Sequence, residues 1–134
     1  MGLVTAETNE NADTRYFGYD AIGRMTEKTD RNGRETAYTY DAACRLTSEV
    51  WLGANDAAVK TFTYTYDTRG RLLTAGDGVS NYVFSYDTMN RVDTITLTFD
   101  GQTAVFDYSY DSVGRQTQSA LTLNSFADRI VDTE

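Results

Sequence analysis

The chain contains no proline, no histidine and a single cysteine, Cys44. Each absence excludes something. A chain of this length would carry about seven prolines at average usage. Proline cannot donate to a central β-ladder, so its absence fits a chain laid out mostly in interior strands. Without histidine, the commonest acid/base group and metal ligand at neutral pH is gone, and one cysteine rules out an internal disulfide. A Cys44 nucleophile would need a base that the sequence does not supply, so Cys44 reads as a turn residue standing in for glycine. No apolar run reaches membrane-spanning length, and the first 15 residues have neither the basic start nor the apolar stretch of a secretion signal. Aliphatic residues are sparse too: Leu, Ile, Val and Phe make up about a fifth of the chain, and the net charge of -8 speaks against nucleic acid.

What the chain has instead is tyrosine. There are ten, and eight stand in a string that recurs five times. Aligned on Tyr-Asp, the copies fall at Tyr19-Asp20, Tyr40-Asp41, Tyr66-Asp67, Tyr86-Asp87 and Tyr110-Asp111, separated by 21, 26, 20 and 24 residues. An aromatic stands two positions before each tyrosine: Phe17, Tyr38, Tyr64, Phe84 and Tyr108. Four positions after each aspartate comes an arginine (Arg24, Arg45, Arg71, Arg91, Arg115), preceded by Gly23, Cys44, Gly70, Asn90 and Gly114. A period in this range marks a stacked supersecondary unit whose neighbours supply burial that no unit achieves alone.

The unit reads as a β-hairpin. Alternating aromatics give one strand face. The aspartate side chain can accept the backbone N–H two residues on, and the residue before the arginine takes the left-handed conformation that returns the chain antiparallel. Glycine adopts that conformation freely and Asn90 tolerates it, whereas Cys44 carries a penalty of about 1 kcal/mol. Second strands run outward over 24–29, 45–52, 71–75, 91–99 and 115–123. In the fourth, Ile95, Leu97 and Phe99 alternate with Thr94, Thr96 and Thr98. Return connections pass through Asp30–Gly33, Gly53–Asp56, Gly76–Gly78 and Asp100-Gly101, the last being the strongest two-residue hairpin signal. The expected fold is all-β, up to ten strands in an antiparallel meander. Its organisation is a poorly ordered lead-in or partial strand over 1–15, five hairpins over 16–123, and the start of a further, truncated repeat over 124–134.

The string aromatic-x-Tyr-Asp-x-x-Gly-Arg-Leu, seen most fully at Phe62–Leu72, resembles the YD repeat, also called the Rhs repeat. Departures are Cys44 and Asn90 for glycine, Gln116 for the apolar residue after arginine, and Phe17 and Phe84 for the first tyrosine. The resemblance implies hairpins wound into a curved or spiralling sheet that forms a hollow shell. In bacterial Rhs proteins and Tc toxin C components such a shell encloses a toxic domain, and in teneurins a similar one serves adhesion. It also implies a secreted, extracellular or cell-surface parent. The proline-containing segment that ends the bacterial shell is absent here.

The sequence therefore points to a structural repeat module without catalysis, cofactor or metal. The motif aspartates are explained as turn initiators. Asp30–Glu35 imitates the start of a calcium loop but lacks the later acidic positions. Each motif arginine is expected to stack on a tyrosine ring or to pair with the aspartate of an adjacent hairpin. The expected partners are neighbouring repeats, with self-association through open edge strands. The alternative is a carbohydrate-binding or adhesion module that uses its rows of tyrosine.

Overall fold

A computed structural model describes residues 2–124, Asn124 by its backbone alone. The remainder of the expected truncated repeat, 125–134, lies outside the described residues. Eleven strands follow in chain order: β1 (Ala6–Thr8), β2 (Thr14–Tyr19), β3 (Met25–Thr29), β4 (Glu35–Tyr40), β5 (Leu46–Leu52), β6 (Ala58–Tyr66), β7 (Leu72–Gly76), β8 (Ser80–Tyr86), β9 (Val92–Phe99), β10 (Gln102–Tyr110) and β11 (Gln116–Asn124). The one helical element among the described residues is a 3-10 turn, Ala54–Asp56. Among the described residues no helix is long and apolar enough to cross a membrane.

The chain divides into two units, Met1–Tyr64 and Thr65–Glu134. In the first, each strand from β1 to β5 pairs antiparallel with the next, closing on β6. In the second, β7 to β11 do the same. Each unit is thus an antiparallel meander of tandem hairpins, as the alternating pattern requires.

No described residue is fully buried. Contact instead runs across strands, in rows on the sheet faces. Phe84, Ile95 and Phe106 are direct neighbours on β8, β9 and β10, and on the opposite face of the same strands so are Val83, Thr96 and Val105. Such pairs contribute roughly 0.2–1 kcal/mol each, which is how a sheet holds without a packed interior.

The strands are interrupted where the motif turns begin. Register shifts fall at Gly18/Tyr19, Thr39/Tyr40, Phe84/Tyr86 and Ser109/Tyr110, one residue before the turn. Gly23, Cys44, Gly70, Asn90 and Gly114 take φ of +87°, +63°, +84°, +65° and +88°. That is the bulged turn expected from Asp-x-x-Gly. Asp100 and Gly101, at φ +48° and +72°, form the two-residue turn between Phe99 and Gln102.

Two further segments repeat the motif turn beyond the five copies. The lead-in, which shows no period, folds into β1 and a turn of the same type. Asn9 Oδ1 accepts the N–H groups of Asn11 (3.0 Å) and Asp13 (2.8 Å), and Ala12 stands at φ +64°. The Asp30–Arg34 connection is likewise a copy of the motif turn, with Gly33 at φ +75°.

Candidate functional site

The motif residues form one arrangement, repeated at the turn end of each hairpin. Within a turn, the aspartate N–H donates to the arginine carbonyl at 2.9 Å, and the N–H of the left-handed residue donates to the aspartate carbonyl at 3.0–3.1 Å. The aspartate side chain then uses both oxygens. Its Oδ1 accepts the N–H groups two and four residues on, from Ile22 and Arg24, Ala43 and Arg45, Arg69 and Arg71, Met89 and Arg91, and Val113 and Arg115. Its Oδ2 accepts Nε–H from the arginine at 2.6–2.7 Å. The ion pair therefore closes on the aspartate of the same hairpin, where the sequence allowed that of an adjacent one.

These donors hold the carboxyls below the usual carboxylate range. At Asp20, Asp41 and Asp87 the first cause is the backbone N–H of Arg24, Arg45 and Arg91. At Asp111 it is the Arg115 side chain. At Asp67 burial pushes upward, and the backbone and side chain of Arg71 with the N–H of Arg69 outweigh it. With every oxygen occupied, the carboxylates act as fixed acceptors.

The second half of the arrangement crosses to the next hairpin. Arg24 lies over the Tyr40 ring at 4.9 Å, and Arg71 over Tyr86 and Arg91 over Tyr110 at 4.3 Å. The hydroxyl of that tyrosine donates back to the residue after the arginine: Tyr40 to Met25 O (2.7 Å), Tyr86 to Leu72 O (2.8 Å) and Tyr110 to Val92 O (2.7 Å). Tyr19 makes the same bond to Val4 O at 3.0 Å. A further guanidinium N–H reaches the next turn, from Arg24 to Asp41 O (3.1 Å), from Arg91 to Asp111 O (3.4 Å), and from Arg71 to Asn90 Oδ1 (3.1 Å). One arginine thus closes its own turn and receives the following one.

Exposure separates the arginines by this contact. Arg24, Arg71 and Arg91, each over a ring, are 25–28% exposed, whereas Arg115 is 81%. Arg34, in the extra turn, pairs with Asp30 yet is 74% exposed. Among the described residues no ring covers either.

The aromatics two positions ahead lie on the strand faces. Phe17 sits under Arg15 at 5.3 Å, Phe84 stands in the row with Ile95, and Tyr108 faces Ser119. Tyr38 is opposite Glu49, which is opposite Phe62 on β6. Burial, then the Glu49 charge, raises the Tyr38 hydroxyl pKa. Tyr64 and Tyr66 close β6, and Cys44 is a free, exposed thiol.

The Asp-x-x-Gly-Arg offset at Asp30–Arg34 is the signal that marks this turn as a motif copy, although Thr29 stands where the other copies have tyrosine.

Hairpins joined edge to edge through a recurring arginine–tyrosine contact define the chain as an all-β repeat protein. Residues 2–34 and 19–50 match the RHS Repeat family model. No curated protein matches the chain. Among solved structures, the fold is similar to that in a crystal structure of TcdB2-TccC3-Cdc42, with a TM-score of 0.74 and 22% identity over 84% of this chain and 6% of that one. It is also similar to TcdB2-TccC3-TEV (TM-score 0.72, 22% identity, 81% and 5%) and to TcdB2-TccC3 without its hypervariable C-terminal region (0.71, 23%, 81% and 5%). The chain spans about a twentieth of the length of each.

Proposed function

We propose that this chain is a structural segment of a hollow β-shell or large extracellular scaffold, and that in the parent protein the shell encloses a toxic domain. The observation that carries this reading is the use made of the motif. The motif aspartates and arginines are consumed in closing their own turns, and Arg24, Arg71 and Arg91 also hold the tyrosine of the next hairpin. A residue set fully committed to joining copies serves a wall, and its catalytic contribution is none. The partners are the hairpins on either side in the parent, and the parent is exported or displayed at the cell surface.

Limited proteolysis of the full-length parent tests the enclosure. The enclosed domain is expected to resist cleavage in the intact protein and to become sensitive when Arg71→Ala and Tyr86→Ala are combined. Equal sensitivity before and after the double substitution sinks the reading. The isolated chain is expected to associate as its concentration rises, through strands with unpaired edges. Light scattering that shows a monomer at every concentration overturns that part.

A further inference from the structure

The joining of hairpins does not account for the two faces of the second unit, which differ in kind. Directly opposed residues of an antiparallel pair share a face. Phe84, Ile95, Phe106 and Leu121 therefore form one row across β8 to β11, and Tyr82, Leu97, Ala104 and Leu123 form the next. No Asp, Glu, Lys or Arg stands in either row. On the opposite face the row between them runs through Val83, Thr96, Val105 and Thr122, and Thr98 stands between Asn81 and Thr103. Hydroxyl and amide groups fit that face for water.

The repeat does not demand this difference. In the first unit Phe17 and Tyr38 occupy the motif position of Phe84, yet charge breaks their rows: Lys28 lies opposite Phe17, and Glu49 stands between Tyr38 and Phe62. An antiparallel sheet with one apolar and one polar face is built to be covered on the first. Tyr82 is 40%, Phe99 50%, Leu121 55% and Leu123 52% exposed, so among the described residues no layer covers them.

What covers this face must bring a backbone that is already paired. β9 and β10 are bonded to a strand on each side, so an extended peptide laid across them would lose water from N–H and C=O groups that find no partner there. A second sheet has no such cost, and a second copy of this chain carries one. Copies with a net charge of -8 repel, and these two rows let them meet without opposing like charges. With large side chains of roughly 150–250 Å² each, half-exposed at four positions and less so at the others, a second sheet removes roughly 700 Å² per copy from water. That is close to the 800 Å² or so per partner of a stable interface.

We propose that the apolar face of β8 to β11 is a dimer interface, on which a second copy lays the same face to form a two-layer β-sandwich. The contact is isologous and closes at two copies, with the sheets about 10 Å apart. It is separate from pairing at strand edges and from the enclosure proposed for the parent, and each can fail without the others.

Sedimentation equilibrium of the whole chain, from the low micromolar to the submillimolar range, is expected to show a monomer–dimer equilibrium that stops at two copies. Leu97→Lys places a charge in the middle of the face and should raise the dimer dissociation constant about tenfold or more. Leu121→Lys, at a side chain already 55% exposed, should keep the fold and raise the constant several-fold, so the test stands even if Leu97→Lys does not fold. Thr122→Lys, one residue along the same strand but on the opposite face, should leave it unchanged. A monomer at every concentration, whether or not it binds an apolar dye, overturns the proposal, as does assembly beyond two copies. Equal weakening by Leu121→Lys and Thr122→Lys also overturns it, and would place the association at the edge of β11.

Discussion

Cys44 is where the turn chemistry is easiest to measure. It holds φ +63° at a position filled elsewhere by Gly23, Gly70 and Gly114, and it is exposed, so a smaller residue loses no packing. Cys44→Gly is expected to stabilise the chain by about 0.5–1 kcal/mol in denaturant unfolding, because glycine carries no left-handed penalty. Gly70→Val, at φ +84°, should destabilise it by more than Cys44→Val does. Equal losses would show that the left-handed turn is not what the position selects. The aspartates set the acid limit. Asp20, Asp30, Asp41, Asp67, Asp87 and Asp111 all have carboxyls lowered by folding. A lowered folded-state pKa contributes stability that is complete above the unfolded value near 3.9 and is lost as pH falls through the folded value. Melting temperature should therefore stay level from about pH 7 to 5 and drop below about pH 4. A midpoint unchanged at pH 3 would mean that the aspartate bonds contribute nothing.

At the scale of the hairpin, the contact to measure is Arg71 with Tyr86. Tyr86→Phe removes the hydrogen bond to Leu72 O but leaves the ring under the guanidinium, and should cost about 0.5–1.5 kcal/mol. A double-mutant cycle with Arg71→Ala and Tyr86→Ala should give a coupling of about 0.5–2 kcal/mol. A coupling of zero would reduce the stacking to coincidence. The hairpin was largely legible in the sequence, since the Asp-x-x-Gly offset and the alternating aromatics act within a few residues of each other. What joins one hairpin to the next was less so. Tyr86 meets Arg71 only because the Gly76–Ser80 connection sets the register between β7 and β8, and loops of differing length hide that register from a reading along the chain. The same applies to Trp51, which meets Phe62 through pairing of β5 with β6. The Asn9–Asp13 turn escaped for another reason: Asn9, Ala12 and Asp13 fill the roles of Asp, Gly and Arg with none of those residue types in place.

At the scale of the molecule, no residue described is fully buried, so no single core couples distant strands. Stability in such a chain is a sum of units and of their nearest contacts. Arg91→Ala, which breaks the contact with Tyr110, should speed amide hydrogen exchange in β9 and β10 and leave β2 to β4 protected as before. Loss of protection at both places together would reveal a cooperativity that these contacts do not explain.

The arginine that closes one turn and receives the next carries a consequence for how such chains change in length. Hairpins that carry this contact present on one side the surface required on the other: Arg24, Arg71 and Arg91 for the tyrosine that follows, and Tyr40, Tyr86 and Tyr110 for the arginine before. Duplicating or deleting a whole hairpin restores every one of these meetings without a compensating substitution anywhere else. Copy number can therefore drift while the residues of each copy stay under constraint, and the outer loops can differ in length as long as each keeps the register of the two strands it joins.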